Sequence, residues 1–175
     1  DHAYWEKWFP ADWVSEMREQ IRLWFYSQLF MSVVLTGQAP FRRVLGYEKM
    51  LDENGREMHG SWGNTIEAND AFDRMGADVM RWQFAAQPPD RDLWFGYGPA
   101  EEVKRKLLTF WNSVKFFVDY ANIAGFEPKW ASLEPEATEP LDRWLVERTH
   151  AFVADATAGY EGFLTPDVLR DFEAY

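Results

Sequence analysis

The chain has 175 residues, 47% of them hydrophobic, a formal net charge of -11 and no cysteine. That length and apolar content support a substantial core and one domain or one and a half. The lack of cysteine excludes disulfides and thiolate metal sites, and the three scattered histidines have no ligand spacing. Residues 127 to 175 hold much of the acid, eleven Asp or Glu against four Lys or Arg. A domain of that charge repels phosphates over most of its surface, which argues against unaided nucleic-acid binding.

The opening "DHAYWEKWFP" has neither the basic nor the apolar segment of a signal peptide and reads as the middle of a longer chain. Next, "ADWVSE" alternates around Trp13 and Val14 and predicts a short buried strand. It runs into a helix from Glu19 to about Thr36, whose apolar residues fill most of the circumference, as in a buried helix packed on a sheet. The tract "LWFYSQLFMSVVLTG" inside it is interrupted by Ser27, Gln28 and Ser32. It falls short of the roughly 20 apolar residues of a membrane span. Gly37 and Pro40 stop the helix.

"FRRVLGYEKML" reads as a second strand, and Asp52-Glu53-Asn54-Gly55 as a turn, because Asn-Gly tolerates positive φ. Strand, helix, strand is a parallel crossover unit, which places a ligand crevice at the carboxyl ends of the strands. The polar loop "REMHGSWGN" follows directly.

Beyond it the pattern turns helical. "TIEANDAFDRMG" has Thr65 as N-cap and Gly76 as stop, and "ADVMRWQFAAQ" ends at Pro88-Pro89. A long helix starts at Pro99, carries Glu101 and Glu102 in its first turn, and repeats Val103, Leu107, Phe110, Trp111, Val114 and Val118 at helical spacing until Gly125. A Pro- and Glu-rich linker occupies about residues 125–140, and a helical pair, "PLDRWLVERTHAFVADATAGY" and "TPDVLRDFEAY", closes the chain. The fold class is α/β leading into all-α.

Three segments stand in order: "PADWVSEMREQIRLWFY", "REMHGSWGN" and "MGADVMRWQFAAQPP". With "LLTFWN" and "LDRW" further on, the ordered set resembles the carboxyl half of the catalytic domain of class I aminoacyl-tRNA synthetases, most closely those for isoleucine. That family carries a "PADF-E-DQTRGWFY" segment, an Asp-Gly turn entering a "KMSKS-GN" loop, a "GADALR" helix start, and an "LLTLWN" helix leading to an "LDRW" helix bundle.

The resemblance implies the second half of a Rossmann-type catalytic domain with its loop and stem helices over residues 1–98. It further implies the start of a helical anticodon-binding domain over 99–175. As part of a longer enzyme, the chain would serve ATP-dependent activation of isoleucine and its transfer to tRNA(Ile). The implied partners are isoleucine, ATP with Mg2+ as substrate, tRNA(Ile) and the amino-terminal half of the same enzyme. No metal site within this stretch, no DNA, no membrane, a cytoplasmic setting and a monomeric full-length enzyme complete the expectation. Carried over residue by residue, Glu16, Glu19, Gln20 and Trp24 line the aminoacyl-adenylate pocket, with Trp24 on the amino-acid side. Met58, His59, Gly60 and Ser61 form the mobile loop, and Gly46, His59, Gly60 and Ser61 meet ATP.

Two departures stand out. Both lysines of the family's loop are missing, the first replaced by Glu57 and the second by Gly60. A glycine offers a backbone N–H where the family offers an ammonium on the pyrophosphate. Lys49 and Arg56 flank the turn as substitute cations, and His59 is a third. The segment bearing the family's "HIGH" signature and the editing insertion are both absent from these residues, so the piece by itself is expected to be inactive. Read without the resemblance, Glu16 and Glu19 are equally helix-start acids, Trp24 a core residue, the loop a connector, and Lys104, Arg105 and Lys106 a solvated face. A valyl or leucyl enzyme and a non-catalytic tRNA-binding or interaction remnant are the rival readings.

Overall fold

The structure, a computed structural model, describes residues 2–127 and 139–175. Contacts divide it into two compact units, Asp1–Thr65 with Pro88–Phe95, and Ile66–Gln87 with Gly96–Tyr175. The content is mixed α/β in the first unit and helical in the second.

The first unit begins with helix α1 (His2–Trp8), for which the sequence carried no signal, followed by strand β1 (Val14–Met17). A 3-10 turn (Arg18–Arg22) leads into α2 (Trp24–Thr36), so the expected helix from Glu19 is in fact two elements. Gly37 ends α2 at φ 76, with its N–H donated to Val33 O. β2 (Val44–Tyr47) pairs parallel with β1, Val14 opposite Val44 and Glu16 opposite Gly46, which is the predicted crossover unit.

The second expected strand is not continuous. Its run divides into β2 and β3 (Met50–Asp52), and β3 pairs parallel with β4 (Leu93–Phe95), Leu51 opposite Trp94. The two pairs are separate two-stranded sheets. The break falls at Glu48 and Lys49, whose backbone N–H groups leave the first sheet to donate to Pro89 O and Asp92 Oδ1.

α2 is also not buried as expected. Phe25, set edge-on to Phe41 at 5.9 Å, and Ser32 are its buried residues, while Leu35 is 80% exposed. A helix that is apolar all round needs cover on every side, and a two-stranded sheet covers one stripe. Trp13, expected in the core, is exposed as well.

In the second unit, α3 (Ala68–Met75) is capped at Glu67 rather than Thr65, and Gly76 closes it at φ 88. α4 (Ala77–Ala86) stops before Pro88, and α5 (Tyr97–Ile123) starts two residues ahead of Pro99. α6 (Pro140–Glu161) and α7 (Thr165–Ala174) are the expected final pair. α4 packs on α5 and α7, α3 on α4 and α5, and α6 on α7. Thus α3 and α4 share a core with the later helices. Ala71, Met75, Val79, Ala100 and Val168 are buried in this unit. Trp82 and Phe110 close on Phe172 at 5.7 and 5.3 Å between ring centroids. Most of the expected linker lies outside the described residues. Among the described residues no helix is long and apolar enough to cross a membrane.

Candidate functional site

The carboxyl end of β1 carries the first candidate residue. Glu16 is half-buried, and its Oε1 accepts from its neighbour's N–H, Met17, at 2.9 Å and from the Tyr47 hydroxyl at 3.5 Å. Gly46 is its register partner, so the adjacent strand places no side chain beside the carboxylate. A Cβ there would meet Arg18 at an ordinary 3.9 Å, so space alone does not demand glycine. Burial, and then the Glu16 charge and hydrogen bond, push the Tyr47 phenol up. Tyr47 therefore stays a neutral donor to Glu16.

The 3-10 turn carries Glu19 and Gln20. Gln20 Oε1 accepts from the Trp24 N–H at 3.2 Å and so caps the start of α2, where donors lack partners within the helix. Trp24 stands edge-on to Phe25 at 5.2 Å and is 42% exposed, presenting an open aromatic face.

Beyond β3, Asp52 organises the turn. Its Oδ1 accepts from the N–H groups of Asn54 and Arg56, both at 2.9 Å, and its Oδ2 from Asn64 Nδ2 at 2.9 Å. Asn64 is the tie across the loop, since Nδ2 also donates to Glu57 O at 2.9 Å and Oδ1 accepts from His59 N–H at 3.0 Å. The bond from Asn64, followed by that from Arg56 N–H, holds the Asp52 carboxyl below the usual carboxylate range against the opposing effect of burial.

Between these ties lie Met58, half-buried, and the exposed His59, Gly60 and Ser61, the last two in a short 3-10 turn (Gly60–Trp62). His59 Nδ1 accepts from Ser61 N–H at 3.4 Å and lies 2.8 Å from Ser61 Oγ. With Nδ1 accepting, the ring's donor is Nε2–H. Trp62 lies against the same ring at 5.2 Å. At Gly60 an added Cβ would meet nothing within 4 Å.

The turn after β1 and the loop after β3 are joined by one cation. Lys49 Nζ lies 2.8 Å from Glu19 Oε1 and 2.7 Å from Glu57 Oε1. Those two hydrogen bonds, reinforced by the two charges, hold the ammonium well above the ordinary lysine range. Lys49 in turn draws Glu57 below the carboxylate range. Of the substitute cations, Lys49 is held at the surface between Glu19 and Glu57. Arg56 is exposed and engages Asp52 through its backbone.

Glu16 and Gly46 are therefore brought together by strand register, Glu19 and the loop by Lys49, and Gln20 and Trp24 by a helix cap. Among the described residues no hydrogen bond or ion pair joins Glu16 or Trp24 to residues 58–61. Asp52 and Asn64 are organising residues that the sequence reading did not single out, although an aspartate two residues before Asn-Gly is the usual signal for a side chain closing its own turn. Lys104 and Lys106 are paired with Glu101 and Glu173, while Arg105 Nε donates to the uncharged backbone O of Glu101, so the two lysines of the α5 basic cluster are charge-balanced. Among the described residues no group of three or more His, Cys, Asp or Glu is placed to hold a metal ion.

The family model for tRNA synthetases class I (I, L, M and V) matches residues 1–95. An isoleucine–tRNA ligase of Methanosarcina acetivorans is 34% identical across 97% of this chain and 16% of its own length. That of Methanothrix thermoacetophila is 32% identical across 100% and 17%, and that of Methanopyrus kandleri 35% across 91% and 15%. The chain thus spans about one sixth of the length of these relatives. A solved ternary complex of Agrobacterium radiobacter K84 agnB2 LeuRS with tRNA and LeuAMS superposes with a TM-score of 0.76 over 94% of this chain and 21% of that one, at 17% identity. It shares the fold.

Proposed function

This chain belongs to the class I tRNA synthetases, and on that premise we propose that it is part of a longer isoleucine–tRNA ligase. Such an enzyme activates isoleucine with ATP and transfers it to tRNA(Ile). The observation that carries the reading is identity to isoleucine–tRNA ligases along nearly the whole chain, through the helical unit as well as the α/β unit. In this reading β1, α2 and β2 are the crossover of the second half of a Rossmann-type catalytic domain, and residues 99–175 open the anticodon-binding bundle.

The side chains then take the following roles. Glu16 keeps Oε2 for the ammonium or a ribose hydroxyl of the adenylate, because Met17 N–H and Tyr47 both sit on Oε1. The open face of Trp24 reads the branched side chain by shape, a contact worth about 1 to 3 kcal/mol per methylene. Glu19 and Gln20 shape the pocket floor, Glu19 through Lys49 and Gln20 through the α2 cap. On the loop, Gly60 N–H and His59 Nε2–H are donors for the ATP phosphates, and Gly46 leaves the strand surface beside Glu16 bare for the nucleotide. Magnesium, bound with ATP as substrate, supplies charge neutralisation on the phosphates. Neutral donors replace the family's ammonium, so stabilisation of the departing pyrophosphate is weaker from this loop than from one bearing lysine.

That loss is the observation favouring a second reading, a remnant that binds tRNA or a protein partner without catalysis. Isoleucine-dependent ATP–pyrophosphate exchange by the full-length protein containing this chain, with Gly60→Lys beside it, separates the two. Exchange in the wild type with little gain from Gly60→Lys supports the ligase. A dead wild type revived by Gly60→Lys supports the remnant. Exchange driven by valine or leucine in preference to isoleucine assigns the chain to a sister enzyme.

A further inference from the structure

We propose that Lys49 is a positioning residue that clasps the loop 57–64 to the turn 18–22 and so preorganises the loop for a nucleoside triphosphate. The proposal rests on reading that loop as the ATP loop, and deepens it. The clasp joins three stretches far apart in the chain. Lys49 lies between β2 and β3, and its own backbone N–H is anchored to Asp92 Oδ1 at 3.1 Å beside β4. From that fixed base the side chain spans Glu19 and Glu57 at 2.8 and 2.7 Å.

Glu57 is the root of the loop. It bridges antiparallel to Leu51, and its carbonyl accepts from Asn64, which also holds His59 N–H and Asp52. Whatever holds Glu57 therefore holds the backbone from which His59, Gly60 and Ser61 project. The exchange of charge is self-consistent: a carboxylate stands at 57 where the related loop has a lysine, and an ammonium at 49 receives it. An uncompensated Glu57 would face Glu19 without a cation between them, and like charges at that spacing repel. Preorganisation matters because two neutral donors on an unconstrained loop lose much of their binding energy to ordering it.

The test is hydrogen exchange of the loop amides whose acceptors are intact here, His59, Ser61 and Trp62. In the full-length protein containing this chain, Lys49→Met raises their exchange roughly two- to fivefold, the range for exposed ion pairs, while the amides of β1 and β2 hold still. Lys49→Arg restores protection. Lys49→Glu with Glu57→Lys is better protected than Lys49→Glu alone, and the difference between wild type and Lys49→Met shrinks in molar salt. Unchanged loop amides in Lys49→Met, or a reversed pair no better than the single change, overturns the clasp.

In the full-length protein, Lys49→Met raises the KM for ATP in pyrophosphate exchange more than it lowers kcat, and Lys49→Arg recovers it. A loosened loop with an unchanged KM overturns the positioning role. A wild-type protein with no exchange under any of the three amino acids sinks the synthetase reading, while hydrogen exchange still decides the clasp.

Discussion

Gly159 in α6 lies against Val168 of α7, and a Cβ built on it would fall well inside the van der Waals radius of Val168 Cγ2. Two opposing effects meet in Gly159→Ala. Replacing a glycine in a helix interior by alanine gains about 1 kcal/mol of helix propensity. Forcing a methyl into a filled site costs about 1 to 3 kcal/mol. Val168 is 4% exposed and β-branched, hence stiff at χ1, and cannot swing aside as an exposed flexible side chain would. The steric effect wins at a stiff, buried neighbour, and Gly159→Ala is expected to destabilise the chain by up to about 2 kcal/mol. The sign reverses once the obstacle is removed. In a Val168→Ala background, itself weakened by about 2 kcal/mol through lost burial and a small cavity, the same substitution stabilises by about 1 kcal/mol. Urea unfolding followed by far-UV circular dichroism on the four proteins of the cycle gives the coupling directly. Equal stabilisation by Gly159→Ala in both backgrounds refutes the close approach of α6 and α7 at this point.

Asp52 and Glu57 both have lowered carboxyl pKa values in the folded chain, so the stability they contribute is present above their unfolded values and is lost as pH falls through the folded ones. The Asn64 side-chain amide signals should therefore hold steady through neutral pH and move only below the usual carboxylate range; a midpoint at or above the ordinary aspartate value contradicts the hydrogen-bond geometry. Gly55→Ala and Gly37→Ala both place a Cβ at φ 76, which costs about 1 to 2 kcal/mol each. The extra 3.2 Å approach to Trp94 at Gly55 adds little because that ring is 57% exposed and can turn away; a Gly55→Ala loss far above that of Gly37→Ala in thermal unfolding shows the ring is locked. The 175-residue chain alone should give no isoleucine-dependent pyrophosphate exchange, since it spans only about one sixth of the isoleucine–tRNA ligases it resembles, and a measurable rate refutes this.

Local backbone chemistry was legible from the residues alone. Gly37 and Gly76 end helices at positive φ, Asn54-Gly55 turns the chain, and the Pro88 region stops α4, because each acts through the dihedrals of its own few residues. The β1, α2, β2 crossover follows from the same local signals and a parallel strand's need for a long connection. The sequence also carried the family resemblance, since the segments that bear it are contiguous and ordered.

Tertiary structure decided what depends on distant partners. Residues 41–51 read as one continuous strand, and nothing within them says that β3 will leave β2 to pair with a strand some forty residues later. α2 is apolar on all sides, so its pattern has no polar face to reveal how little of it this structure covers. The grouping of α3 and α4 with α5 and α7 is likewise a matter of which apolar stripes meet. The charge logic of the site belongs to the same class. Glu19, Lys49 and Glu57 are unremarkable as letters, and their meeting at one ammonium depends on the β1–β2 pairing, which sets the turn after β1 near the residues that follow β2, and on the Leu51–Glu57 bridge, which folds the loop after β3 back on β3.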